Sequence, residues 1–439
     1  MGLFAFGHAS NGATMNGIMY LSGEHVQLPG LFYFTLWGSI RDEWNAGTYF
    51  LALLVAVASL LWPFIKLALQ LLLWWLPPSW MGFEVHGIGV RFLDGTCKFA
   101  LTNIQMVVLL MVGLHFEVLI PSADTIVPLL ELNVEVAPDT GTYAFISAMV
   151  PALVLGHVHA YMHRTLSHPL PPGRTRRTRA GADGGAGKRA RLVPLRRTEF
   201  ESLLFWSDRR LPGAVQLGVA LGLVVCLLGV SFGLILDVID LEVVGVVGAL
   251  LGEKRRTSWS VASMAKAISS VTTLANPTWL AIMQAGFYFT IVGMPVLCLL
   301  LALSLWMLPL RPEHMHRLLM IVEAAAAWAM LDVFVVILLA SLLSLDQFAQ
   351  YTLSDDPTVV ELNTFLAANP EFGNLLPAEP VVLGVQPTLL RPFWLLFSSG
   401  LASVPLCVFV THCANHAFEQ QRAHAAAMAA AAPHYRVSD

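Results

Sequence analysis

Seven long apolar runs constrain this chain more than any other feature: residues 48–76, 97–120, 142–163, 214–236, 279–308, 318–345 and 393–418. Runs of about 20 residues or more match a hydrocarbon core about 30 Å thick at 1.5 Å per residue. Lipid offers the backbone no hydrogen bonds, so each run must satisfy its own N–H and C=O groups as a helix. The first and fifth exceed a perpendicular crossing and predict tilt, a proline kink or snorkelling ends. Composition agrees: 12% of the 439 residues are charged, against about 25% in soluble domains. The predicted fold is all-α, a polytopic transmembrane bundle of seven helices, with the lipid bilayer as its solvent.

Basic residues orient the bundle. Twelve of the 25 Lys and Arg lie between Arg164 and Arg210, among them Arg174, Arg176, Arg177, Arg179, Lys188, Arg189, Arg191, Arg196 and Arg197. Loops rich in Lys and Arg stay cytosolic, which puts this linker and the C-terminus inside. Segments 121–141 and 346–390 then fall outside; they carry Asp124, Glu131, Glu135, Asp139, Asp355, Asp356, Glu361, Glu371 and Glu379 but no Lys or Arg. Short turns with Arg91 and with Arg311 and Arg317 come out cytosolic. Lys254-Arg255-Arg256, on a segment placed outside, runs against the rule.

The spans repeat. Pro63, Trp74 and Pro77 match Pro295, Trp306 and Pro309 at one offset of 232, and Lys98-Phe-Ala-Leu-Thr-Asn103 faces Ala327-Trp-Ala-Met-Leu-Asp332. The expected organisation is an extracytoplasmic segment 1–47, a three-helix repeat 48–163, an Arg-rich linker 164–212, a four-helix repeat 213–418 and an Ala-rich tail 419–439. Both copies cross in the same direction, as parallel repeats about the membrane normal. The first has no counterpart of 214–236, which predicts a lost helix or an upstream apolar segment in a longer transcript.

Charges inside spans are costly and need partners. Lys66 aligns with Cys298, and Asp332 with Asn103. Each half therefore keeps one charge. One reading joins Lys66 and Asp332, with Lys98 and Asn103 beside them, into a polar centre where Asp332 exchanges protons and Lys66 holds its charge. The other leaves Lys66 snorkelling and Asp332 satisfied near a helix start. Pro63 and Pro295 each free a carbonyl one turn earlier and predict matched kinks.

Histidines supply the rival chemistry. His159 and His163, and likewise His412 and His416, are spaced i, i+4, so each pair shares a helix face as a metal or haem site requires. A membrane metal oxidoreductase is the alternative function, although the HxxHH typical of di-iron boxes is absent. The five cysteines form no CxxC pair, and there is no Walker loop, Rossmann glycine pattern or GxSxG. No cofactor and no nucleic-acid partner is expected.

Ser59-Leu-Leu-Trp-Pro63-Phe-Ile-Lys66, a short basic turn, and then Trp328-Ala-Met-Leu-Asp332-Val-Phe-Val-Val resemble the paraquat-inducible protein A family of polytopic membrane proteins. That resemblance implies a non-enzymatic role in lipid transport and membrane lipid homeostasis beside an MCE-type lipid-transfer partner. The cysteine ribbons that often precede each half in that family are missing, and each half keeps only part of the motif.

Overall fold

A computed structural model describes residues 1–21, 24–76, 80, 82–120, 130–167, 213–244, 255–308, 310, 312–354 and 384–431. The arginine runs of the linker, Lys254, the acids at 124 and 355–379 and the tail beyond 431 lie outside the described residues.

Seven helical stretches among the described residues are long and apolar enough to cross a membrane: Tyr49–Trp75, Val85–Gly113, Thr140–His163, Gly213–Ile235, Pro277–Met307, His314–Ser344 and Arg391–Gln420. Their outward residues fit that medium. Phe50, Leu53, Val57, Leu61, Ile65, Leu69 and Leu72 form an exposed stripe at helical spacing, and Leu217, Leu221, Val225, Leu228, Phe232 and Ile235 form another. Continuous apolar stripes of this length are a lipid-facing surface, since water would oppose them. Exposed Trp37, Trp44 and Tyr49 at one end and Trp74, Trp75 and Trp80 at the other suit the two membrane interfaces.

The chain starts with α1 (Gly2–Ala9), β1 (Asn11–Leu21), β2 (Glu24–Thr35) and α2 (Leu36–Asn45). The first span is α3 (Tyr49–Val55), a π-helical turn Ala56–Leu61, and α4 (Trp62–Trp75). The second is α5 (Phe83–Gly95), a 3-10 turn Cys97–Leu101, and α6 (Thr102–Gly113). After β3 (Phe116–Ile120) and β4 (Leu130–Pro138), α7 (Thr140–Ser167) crosses again.

A similar order follows: α8 (Gly213–Ile235), β5 (Asp237–Val244), β6 (Arg256–Ser260), α9 (Val261–Ala267), and the fifth span as α10 (Pro277–Phe287), a π turn Tyr288–Gly293 and α11 (Met294–Met307). The sixth span is α12 (Pro312–Trp328) and α13 (Leu331–Ser354); β7 (Gly384–Leu389) and α14 (Arg391–Ala431) complete the chain. α1 packs against α7 as α8 packs against α14.

Both π turns end directly before the residue preceding a proline, Pro63 or Pro295. Proline lacks an N–H and its ring crowds the carbonyl one turn back, so the helix widens there instead of closing an ordinary turn. The second and sixth spans are broken outright, at Thr96–Leu101 and at Ala329-Met330. In lipid the freed groups need partners. Met330 N–H donates to Thr290 O in the π turn of the neighbouring span (3.0 Å), and the Trp62 indole N–H donates to Thr96 O (2.9 Å). Widened turn and broken helix thus satisfy each other.

Two small antiparallel sheets, ordered β2-β1-β4-β3 and β6-β5-β7, sit at one end of the bundle. They correct the expected second span, 97–120: the helix starts earlier and Phe116–Ile120 is a strand paired with β4. Glu117 alternates with apolar neighbours there, and β4 offers it a ladder. Upstream, the helix buries His86, whose Nε2 lies 2.9 Å from Leu73 O, and Asp94, 2.8 Å from His157 Nδ1, while Arg91, expected in a turn, lies exposed on α5. Arg317, expected in another turn, lies on α12. Of the basic run at 254–256, Arg256 pairs with Asp240 and Arg255 with Glu242 (3.2 Å) on the second sheet. The two halves join through Thr273 N–H donating to Glu135 (2.8 Å), Tyr143 stacked on Trp279 (4.8 Å) and a continuous apolar core.

Candidate functional site: a polar centre between the halves

The helix breaks bring charge together. Lys98, in the 3-10 turn of the second span, donates from Nζ to Asp332 Oδ2, in the first turn of α13. Both side chains are largely buried, 11% and 14% exposed. Asp332 also sits at a helix N-terminus, where the unpaired N–H groups and macrodipole favour a carboxylate. A continuous helix would offer no such terminus at mid-span. The breaks therefore create the site as well as the need for it.

This pairing differs from the expected one. Lys66 does not reach Asp332; it is 1% exposed on α4, and its Nζ donates to Ala152 O of α7 (3.4 Å). Its nearest acid is Asp94 of α5. Asp94 Oδ1 and Lys66 Nζ both flank Gly156, at 3.4 and 3.9 Å from where a Cβ would stand. His157 Nδ1 lies 2.8 Å from the same Asp94 oxygen, at ion-pair range without the alignment of a hydrogen bond. Its ring then rests on Trp328 (5.7 Å), beside the break that leads to Asp332. The side chain of Asn103, one turn beyond Lys98, makes no hydrogen bond among the described residues.

Lys98–Asp332 and the cluster of Lys66, Asp94 and His157 are thus two separate polar groups, both near the break of the second span. Sequence reasoning missed Asp94 and His157 as partners. Asp94 stands 229 residues before Glu323, the offset that sets Lys98 against Ala327, and that was the available signal: Glu323 Oε1 accepts from Asn415 Nδ2 (3.0 Å), as Asp94 lies beside His157. At the position aligned with Lys66, Cys298 Sγ lies 3.9 Å from Cys407 Sγ.

The histidines do not assemble into a metal site. His163 stacks face to face on His86 (4.9 Å, 17°), and His159 meets His86 edge-on (5.9 Å) with Trp74 on its other side. Stacked rings direct their nitrogens past one another. His412 and His416 are exposed on α14. Among the described residues no group of three His, Cys, Asp or Glu could hold a metal ion.

Seven apolar crossings with lipid-facing stripes and a buried ion pair define a polytopic α-helical membrane protein. Residues 260–356 match the family model for paraquat-inducible protein A. This match covers the second half from α9 to the end of α13 and includes Asp332, and it supports the family resemblance carried by the motifs. No curated protein and no solved structure matches the chain.

Proposed function

We propose that the chain is a non-enzymatic membrane component of lipid or hydrophobic-solute transport, built from two parallel repeats and coupled to proton exchange at Asp332. The observation that carries this reading is the ion pair Lys98–Asp332 at the facing breaks of two discontinuous helices, one from each half. Buried intramembrane charges are costly to keep and mark ion pathways when they face the bundle interior. Protonating Asp332 removes the attraction that holds the two breaks together, and the halves can then shift.

The linker and C-terminus face the cytosol in this reading, and both sheets lie outside, where an MCE-type lipid-transfer partner would receive the cargo. The test is transfer of a fluorescent phospholipid out of proteoliposomes under an imposed pH gradient. Wild type is expected to respond to the gradient, and Asp332→Asn to lose the response. Gradient-dependent transfer by a Lys98→Met, Asp332→Asn double variant at the wild-type rate would overturn the reading.

A further inference from the structure

Where the first half buries Lys66, the second buries thiols from neighbouring helices. Cys298 of α11 donates its S–H toward Cys407 Sγ of α14 across 3.9 Å, and both residues are buried. A buried cysteine in apolar surroundings is ordinarily inert, because only the thiolate is a nucleophile. What sets this pair apart is position: the two sulfurs are 3.9 Å apart on helices that pack together, so an oxidised sulfur on one has a thiol beside it to resolve it. Neither Cys226, buried on α8, nor Cys413, the least buried of the five, has a thiol donor directed at it among the described residues.

We propose that Cys298 and Cys407 form an oxidisable dithiol that reacts with membrane-soluble organic hydroperoxides. Leu297 and Val408, the sequence neighbours of the pair, are 43% and 61% exposed toward lipid, and the bilayer is the proposed route of an apolar oxidant to thiols that are themselves 4% and 7% exposed. Cys407 sulfur attacks the terminal peroxide oxygen, the O–O bond breaks, and the thiol proton leaves with the alkoxide as an alcohol. Cys407 is then a sulfenic acid. Cys298 sulfur attacks it, the S–O bond breaks, and hydroxide takes the Cys298 proton and departs as water. Two thiols lose two electrons to one hydroperoxide, and the disulfide staples the Pro295-bearing helix to α14.

The test uses the full chain in proteoliposomes treated with cumene hydroperoxide, then alkylated, digested and weighed by mass spectrometry. The expected product is a Cys298–Cys407 linked peptide that dithiothreitol reverses, with Cys413 still fully alkylated. Cys298→Ser, or Cys298→Ala if the serine variant does not elute as a single species, is expected to stop at a sulfenic acid on Cys407 that dimedone traps. Oxidation of Cys413 ahead of the pair, so that reactivity follows exposure, would overturn the proposal. So would full alkylation of Cys298 and Cys407 after treatment. The readout is chemical and stands apart from any transport assay.

Discussion

The two halves share an order of helices and differ in what they bury. At one aligned position the first half holds Lys66 against the Ala152 carbonyl and the second holds Cys298 against Cys407. Asp94 on the second span lies beside His157 of the third, and Glu323 on the sixth accepts from Asn415 of the seventh. The main ion pair belongs to neither half alone: Lys98 has its aligned counterpart in Ala327, and Asp332 in Asn103. A pair that crosses an interface responds to movement of the halves in a way that a pair within one half does not.

The largest expected effect comes from unpairing that contact. Lys98→Met leaves Asp332 buried without its partner and should cost about 3–5 kcal/mol, while the double variant with Asp332→Asn should recover part of the loss. Thermal unfolding in detergent across the four variants checks this, and additive losses would break the idea of a shared pair.

The outer helices sharpen the comparison next. In the first half, α2 hides Glu43, 3% exposed, whereas α9 in the second displays Lys266. Burial, with Asp42 adding to it, pushes the Glu43 carboxyl up from 4.5 to about 8. The folded chain holds this proton more tightly than the unfolded chain. Its contribution is therefore most favourable below about pH 4.5, and stability falls as pH rises toward 8 by on the order of a few kcal/mol. Glu43→Gln should flatten the dependence, as unfolding midpoints at pH 5 and pH 8.5 would report.

Lys66→Met should cost less than Lys98→Met, about 1–3 kcal/mol, because Asp94 keeps His157. An equal or larger loss would show that Lys66 carries Asp94 alone. The smallest effect is expected for Asn415→Ala, about 1 kcal/mol for one side-chain hydrogen bond to Glu323. Its comparison with His157→Ala, measured in the same unfolding assay, tells whether the contact is charged in the first half only.

Much of the architecture was legible from residue types alone. Charge-poor runs at spanning length predict seven crossings, and six of the seven expected spans largely overlap those observed; the prolines in register predict matched kinks, and what the structure shows before each is a π turn. Less legible were features that rest on pairing between segments. Residues 116–120 look like the end of a helix until β4 is available to bond them. Asp94 and His157 look like flanking polar residues until α5 and α7 pack.

What the sequence determined by itself is the medium, the number of crossings and the identity of the few charges that enter the membrane, because hydrophobic length and insertion cost are local sums over residues. Tertiary structure alone decided which charges meet. A shift of one residue turns a helical side chain by about 100°, so partner choice depends on helix rotation and on where each span breaks. Those breaks at Thr96–Leu101 and Ala329-Met330 hold because neighbouring spans satisfy their backbone, through Trp62 and Thr290. No run of residues read in isolation contains that information.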